Sequence, residues 1–153
     1  MSLFLVQHGK SLPKDIDPDR SLSDEGIKEV ELIANVAKGY NIRVSLIKHS
    51  GKKRAQQTAE ILHQNLNPIN GIYPSSGLNP LDDVTKIADK IESDENIMLV
   101  GHLPFMERLT SYLVSKNMDL TVFKFQNSGI VCLDKNPDND LWYIKWTLMP
   151  NIE

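Results

Sequence analysis

One cysteine, Cys132, occurs in 153 residues, so no intrachain disulfide can form and a reducing compartment is the expectation. No apolar stretch approaches the about 18 residues needed to span a membrane. The opening "MSLFLVQHG" is too short in its apolar part for a signal peptide and lacks the basic front end. An excess of positive charge is also missing. The chain carries 17 Lys and Arg against 20 Asp and Glu, net −3, which argues against a nucleic-acid binder while leaving room for a local cationic pocket. Internal repeats, low-complexity tracts and HxH or HExxH spacings are absent. Zinc sites draw ligands at close spacing or add Cys or carboxylate partners, so neither metal nor cofactor is expected. A soluble, cytoplasmic protein with no membrane partner is the expectation. A single domain over residues 1–153 is the expectation, long enough to bury a core without staples.

What is present is alternation. Residues 3–7, Leu-Phe-Leu-Val-Gln, form a short buried-type strand, and a polar loop with Pro13 and Pro18 follows. Ser23 makes a helix N-cap, with Asp24 and Glu25 in the first turn and Leu22 placed to staple onto Ile27. Ile27, Val30, Ile33, Ala34 and Ala37 recur at helical spacing until Gly39. "VSLIKHS" (44–50) is a second strand, leading into a helix that carries Ala55, Ala59, Leu62 and Leu66. Residues 67–80 are expected to be mostly loop. A third helix is expected from about Leu81 to Glu92, then the strand "NIMLVG", then a helix opened by Pro104 and running to about Lys116. "VFKFQ", "GIVCLD" and "LWYIKWTLM" have strand character, the last two joined as a hairpin through "KNPDND". The order predicts a three-layer α/β/α sandwich, its central sheet mostly parallel with an antiparallel C-terminal addition.

In open α/β sheets, sites form beyond the carboxyl ends of strands. His8, His49 and His102 each end or directly follow an apolar run. Ser50 is placed to cap the helix of "SGKKRAQQTAEIL", whose N-terminus would attract phosphate. Alone, "KKR" is a solvated charge run; beside two strand-end histidines it takes the character of an anion pocket, with Arg54 able to grip a phosphoryl group by two donors. Two histidines, an arginine and a helix N-terminus point to phosphoryl transfer through a nucleophilic imidazole, which is largely unprotonated at neutral pH given a reference pKa of about 6.5. A second imidazole can stabilise the equatorial oxygens.

With these residues in view, the sequence resembles the histidine phosphatase superfamily, also called phosphoglycerate mutase-like, and within it the SixA-type phosphohistidine phosphatases. The resemblance runs through "FLVQHGKS", "DRSLSDEG", "SGKKRAQQTAEIL", "GLNPLDD", "VGHLPFMERL", "NSGIVCLD" and "WTLMP", in that order. It implies that His8 is the nucleophile that becomes phosphorylated, that Arg54 and His102 line the phosphate pocket, and that the partner is a phosphorylated protein or a small phosphorylated substrate. A signalling role is also part of what it implies. SixA-type members resemble one another in lacking an obvious proton donor, which suits phosphohistidine because the departing imidazole accepts a proton near neutral pH.

One position departs from the pattern. Gln7 stands where the family has a phosphate-contacting Arg, keeping an N–H donor without the charge. Lys10 and Arg20 are accessory candidates that would replace it in part, and His49 is a further candidate for the pocket wall. Three readings follow. The first is a phosphatase acting through phospho-His8, with protein phosphohistidine as substrate. The second is a phosphate- or phosphohistidine-binding module weakened by Gln7. The third is a small phosphomonoesterase, which needs a proton donor that Asp82 or Asp83 alone is placed to supply; their other role is an acidic first helical turn. Trp142 and Trp146, at strand spacing, are expected on one face of the last hairpin. Met98, Met106 and Met149 are expected as core fillers, Ser128 as a turn residue near the pocket edge, and Cys132 as a buried, unreactive thiol.

Overall fold

The computed structural model of the protein describes residues 2–91 and 95–152. Its strands are β1 (Ser2–Gln7), β2 (Leu46–His49), β3 (Ile72–Pro74), β4 (Ile97–Gly101), β5 (Ile130–Lys135) and β6 (Trp142–Leu148). Its helices are α1 (Asp24–Gly39), α2 (Lys53–Leu66), α3 (Val84–Ala88) and α4 (Phe105–Ser115). The six strands form one sheet in the order β3-β2-β4-β1-β5-β6. β3, β2, β4 and β1 run parallel, and β5 and β6 are added antiparallel at the β1 edge. The expected α/β architecture is therefore the observed one.

Alternation along the central strands divides the core in two. Phe4, Val6, Ile47, Met98 and Val100 face α1 and α2, packing on Val30, Ile33, Ala34, Ala55, Ala59 and Leu62. Leu3, Leu5, Ile97 and Leu99 face the other way, against Val84 of α3 and Phe105, Met106, Leu109 and Leu113 of α4. Because β1 and β4 are covered on both faces, they are hydrophobic throughout rather than alternating. α1 begins as its sequence dictates: the Ser23 hydroxyl accepts the Gly26 N–H at 3.0 Å, and Leu22 is buried in the same core that Ile27 packs against.

Four local expectations are corrected. Ser50 does not cap α2, since Gly51 adopts a left-handed φ of 89° and defers the helix to Lys53, with Lys52 at the N-cap position and no side-chain cap. The segment 67–80 is mostly loop, as expected, and contains β3, a three-residue edge strand paired in parallel with β2, where Pro74 is tolerated at the margin. The third helix covers only Val84–Ala88, because Asp83 caps the Thr85 N–H at 2.9 Å and Asp82 accepts from Asn79 N at 2.9 Å, closing a turn where a helix was expected; its expected end, Glu92, lies outside the described residues. "VFKFQ" is not a strand. Phe123 and Phe125 stack edge to face at 5.7 Å, and the Phe125 N–H goes to the Glu107 carboxylate at 2.9 Å instead of to a neighbouring strand. Finally, Trp142 and Trp146 lie on opposite faces. Cys132 pairs with Trp146 and Leu133 with Ile144, so Lys145 is a bulge residue that reverses the alternation within β6. Trp142 joins the α4 core and Trp146 packs on the α1/α2 core.

Candidate active site

The parallel strands β2, β4 and β1 present their carboxyl ends along one edge of the sheet. Gln7 closes β1 opposite Gly101 of β4, and the His8 N–H continues the ladder by donating to the Gly101 carbonyl at 2.9 Å. His8 and His102 thus leave neighbouring strands side by side, with ring centroids 5.0 Å apart. They line one open cleft of about 660 Å³ together with Gln7, Lys10, Arg20 and Arg54.

The orientation of His8 is fixed by its neighbour. Its Nδ1 lies 2.6 Å from the Gly9 carbonyl oxygen. A carbonyl only accepts, so Nδ1 carries the proton and Nε2 keeps its lone pair. Burial lowers the pKa from 6.5 to about 4, the carbonyl bond works against that shift, and the Arg54 and Arg20 charges press further in the same downward direction. The ring is neutral at neutral pH. Gly9 matters to this placement, because a side chain there would meet Val30 Cγ2 at 2.7 Å. Its N–H donates to Thr58 Oγ1 at 2.9 Å, and Thr58 in turn donates to the Arg54 carbonyl at 2.8 Å, tying the His8 loop to the first turn of α2. On the other side, Asn127 Nδ2 donates to the His8 carbonyl at 2.9 Å.

His102 is 1% exposed. Ser50 Oγ lies 2.6 Å from His102 Nε2 and also accepts a long bond from the Lys52 N–H at 3.4 Å. With that hydroxyl donating to Nε2, the His102 proton sits on Nδ1, an atom buried and without a partner among the described residues. Burial, then the neighbouring His8, Arg54, Lys52 and Arg20, lower its pKa to about 3. Arg54 Nε, Gln7 Oε1, Glu29 Oε1 and Ser128 Oγ are likewise buried and unpartnered. Buried polar atoms normally find partners; three of these five residues, Gln7, Arg54 and His102, line the cleft. A tetrahedral oxyanion supplies the acceptors that Arg54 Nε and a protonated His102 Nδ1 lack.

The other expected residues divide. Lys10 lines the cleft, but its ammonium is held by Glu25 at 2.8 Å and Glu29 at 3.6 Å. Arg20 lines it with only a 3.4 Å bond to Ser11 Oγ. His49 does not line it. Strand alternation turns His49 to the face of Ile47, where its Nδ1 accepts the Gly51 N–H at 3.1 Å. Asp82 and Asp83 are spent on their turn and cap, and neither lines the cleft. Ser128, with φ of 71°, is buried and donates its N–H to the Gln7 carbonyl at 2.9 Å. The sequence reading missed Thr58 and Asn127. Thr58 had a signal: it sits at i+3 from Ala55 on the apolar face of α2, where a hydroxyl needs a partner. Among the described residues no three of His, Cys, Asp or Glu are grouped to hold a metal, and no helix is long and apolar enough to cross a membrane.

The family follows from comparison with known proteins. Residues 3–79, half of the chain, match the model of the histidine phosphatase superfamily, branch 1; the match takes in His8 and Arg54. Phosphohistidine phosphatase SixA of Escherichia coli (strain K12) is 29% identical over 122 residues, 76% of this chain and 73% of that protein. The structure of the protein histidine phosphatase SixA complexed with tungstate superposes with a TM-score of 0.85 at 24% identity, covering 98% of this chain and 97% of the other. A chain assigned as phosphohistidine phosphatase SixA from Agrobacterium tumefaciens does so with a TM-score of 0.78 at 27% identity, covering 97% of each. The chain belongs to the histidine phosphatase superfamily, branch 1, and is a hydrolase of the phosphatase class.

Proposed function

We propose that the chain removes phosphoryl groups from protein phosphohistidine through a phospho-His8 intermediate. The observation that carries this reading is the paired imidazoles: His8 neutral with Nε2 free, and His102 with centroid 5.0 Å away. The Nε2 lone pair attacks phosphorus while the phosphorus–nitrogen bond to the substrate imidazole breaks. That bond pair returns to the departing nitrogen, which takes a proton from water. Water then attacks phospho-His8 and releases inorganic phosphate. Arg54 and the His102 Nδ1–H stabilise the equatorial oxygens, where the charge of a loose transition state resides.

The leaving group is argued from the cleft lining. An alcohol needs a proton as it departs, and the one carboxylate among the lining residues, Glu25, is bound to Lys10 at 2.8 Å. An imidazole, with a reference pKa of about 6.5, needs no dedicated donor. The test compares release of phosphate from a phosphohistidine protein and from a phosphoserine peptide, by wild type and His8→Ala. The reading expects release from the first substrate only, lost in the variant. Equal release by both proteins excludes the mechanism.

Gln7 favours a second reading, a binding module with little turnover. Gln7 is 9% exposed and brings no charge to the cleft, at the position where the family resemblance implies an arginine. A hydrogen bond to a charged group contributes about 1.5–3 kcal/mol, so Gln7→Arg is expected to raise kcat/KM about ten- to a hundredfold. Turnover found only in Gln7→Arg, with phosphate bound by both, selects the second reading.

A further inference from the structure

A second depression of about 400 Å³ adjoins the cleft, and Arg20 and Arg54 line both. Its other cations are Lys14, Lys52 and Lys53, all exposed. Among the described residues, none of these five side chains is held in an ion pair; Lys10 in the cleft, by contrast, is neutralised by two glutamates. Only Asp19 opposes them from the lining. Asp17 lies near Lys53, but its carboxylate already accepts from the Ser21 hydroxyl and N–H and from the Asp19 N–H. A chain of net charge −3 has therefore gathered five unpaired cations on one shelf beside its phosphate cleft.

Resting on the phosphohistidine reading, we infer that this shelf docks an acidic face of the phosphorylated protein, next to the residue that enters the cleft. The exposure of the cations decides between a protein and a small ligand. An exposed ion pair contributes only about 0–1 kcal/mol, too little for three mobile lysines to hold a small second anion tightly. Spread over two segments, they instead act on an extended negative surface. They steer the encounter and set its orientation, an effect that appears in association and in salt dependence.

The experiment uses three phosphohistidine substrates. One is a short neutral peptide, one a protein with acidic residues around the modified histidine, and one the same protein with those acids made neutral. Lys14→Glu combined with Lys53→Glu reverses shelf charge without altering the cleft lining, since neither lysine lines it. Lys14→Gln with Lys53→Gln serves as the milder variant. At low ionic strength the double reversal is expected to lower kcat/KM on the acidic protein about tenfold or more through KM, with kcat and the peptide unchanged. The difference should vanish near about 1 M salt, where the screening length is about 3 Å. No change on the acidic protein, or an equal loss on the peptide, overturns the inference. So does a lysine dependence found only with a small bisphosphorylated compound. Should no substrate turn over, binding of the two phosphoproteins by His8→Ala separates the claims. Salt-sensitive, lysine-dependent preference for the acidic one upholds the shelf while the phosphatase reading falls, and absence of that preference overturns the shelf.

Discussion

For His8 to attack phosphorus, its imidazole must be neutral and its free nitrogen must be the right one. The Gly9 carbonyl settles the nitrogen and burial beside two guanidiniums settles the charge. The same burial has a thermodynamic consequence. His8 and His102 titrate at about 4 and about 3 when folded, against about 6.5 in an unfolded chain. As pH falls below about 6.5 the unfolded chain takes up protons that the folded chain refuses, so the two residues progressively withdraw stability down to their folded values. Urea midpoints measured from pH 7 to pH 4 should decline, and the decline should be shallower in His8→Asn and His102→Asn. An unchanged slope in both variants would contradict the burial argument. That His8, Arg54 and His102 line one cleft was legible in the sequence because strand-end position and helix-start position are local patterns. The role of Ser50 was not, since a cap and a bond to His102 call for the same hydroxyl and only tertiary structure chooses. His49 misled because a strand end says nothing about which face its last residue takes.

Between helix α1 and the loop after His8, contact is closer than side chains permit. Gly9 packs on Val30, and a Cβ added at Gly26 would run into the Lys10 backbone. Placing Ala in a helix normally gains up to about 1 kcal/mol over Gly. Here the obstacle is backbone, which yields less readily than a flexible side chain, so the clash decides the sign. Gly26→Ala is expected to destabilise the fold by more than about 1 kcal/mol and to lower activity, because the displaced loop is the one that orients His8. A gain in melting temperature would refute this. Element by element, the buried strands and α1 were legible from periodicity and capping. The failures were short or edge elements. β3 has too few residues to show a pattern, α3 is cut short by the turn its two aspartates form, and the alternating "VFKFQ" packs its aromatics without pairing its backbone.

Across the whole molecule, the sheet separates two cores that share no side chains. The bulge at Lys145 sends Trp142 to one and Trp146 to the other. Sites without shared contacts add to within about 0.3–0.5 kcal/mol, whereas neighbours on one face couple by about 0.5–3 kcal/mol. A double-mutant cycle of Trp142→Ala and Trp146→Ala should therefore give near-additive losses of stability, and strong coupling would mean that both rings share a face. The mostly parallel sheet was readable, though not its strand order, because parallel strands need helical crossovers and the sequence alternates accordingly. The bulge was not, since one extra residue leaves no trace in composition. The same topology brings segments almost a hundred residues apart to one edge of the sheet, and the central claim depends on that meeting. Rapid acid-free quenching of wild type mixed with phosphohistidine protein, followed by peptide mapping, tests it most directly. The account predicts a transient phosphoryl adduct on His8, absent in His8→Ala and long-lived in a variant slowed in its hydrolysis. Phosphate released at full rate with no adduct on His8 would contradict it.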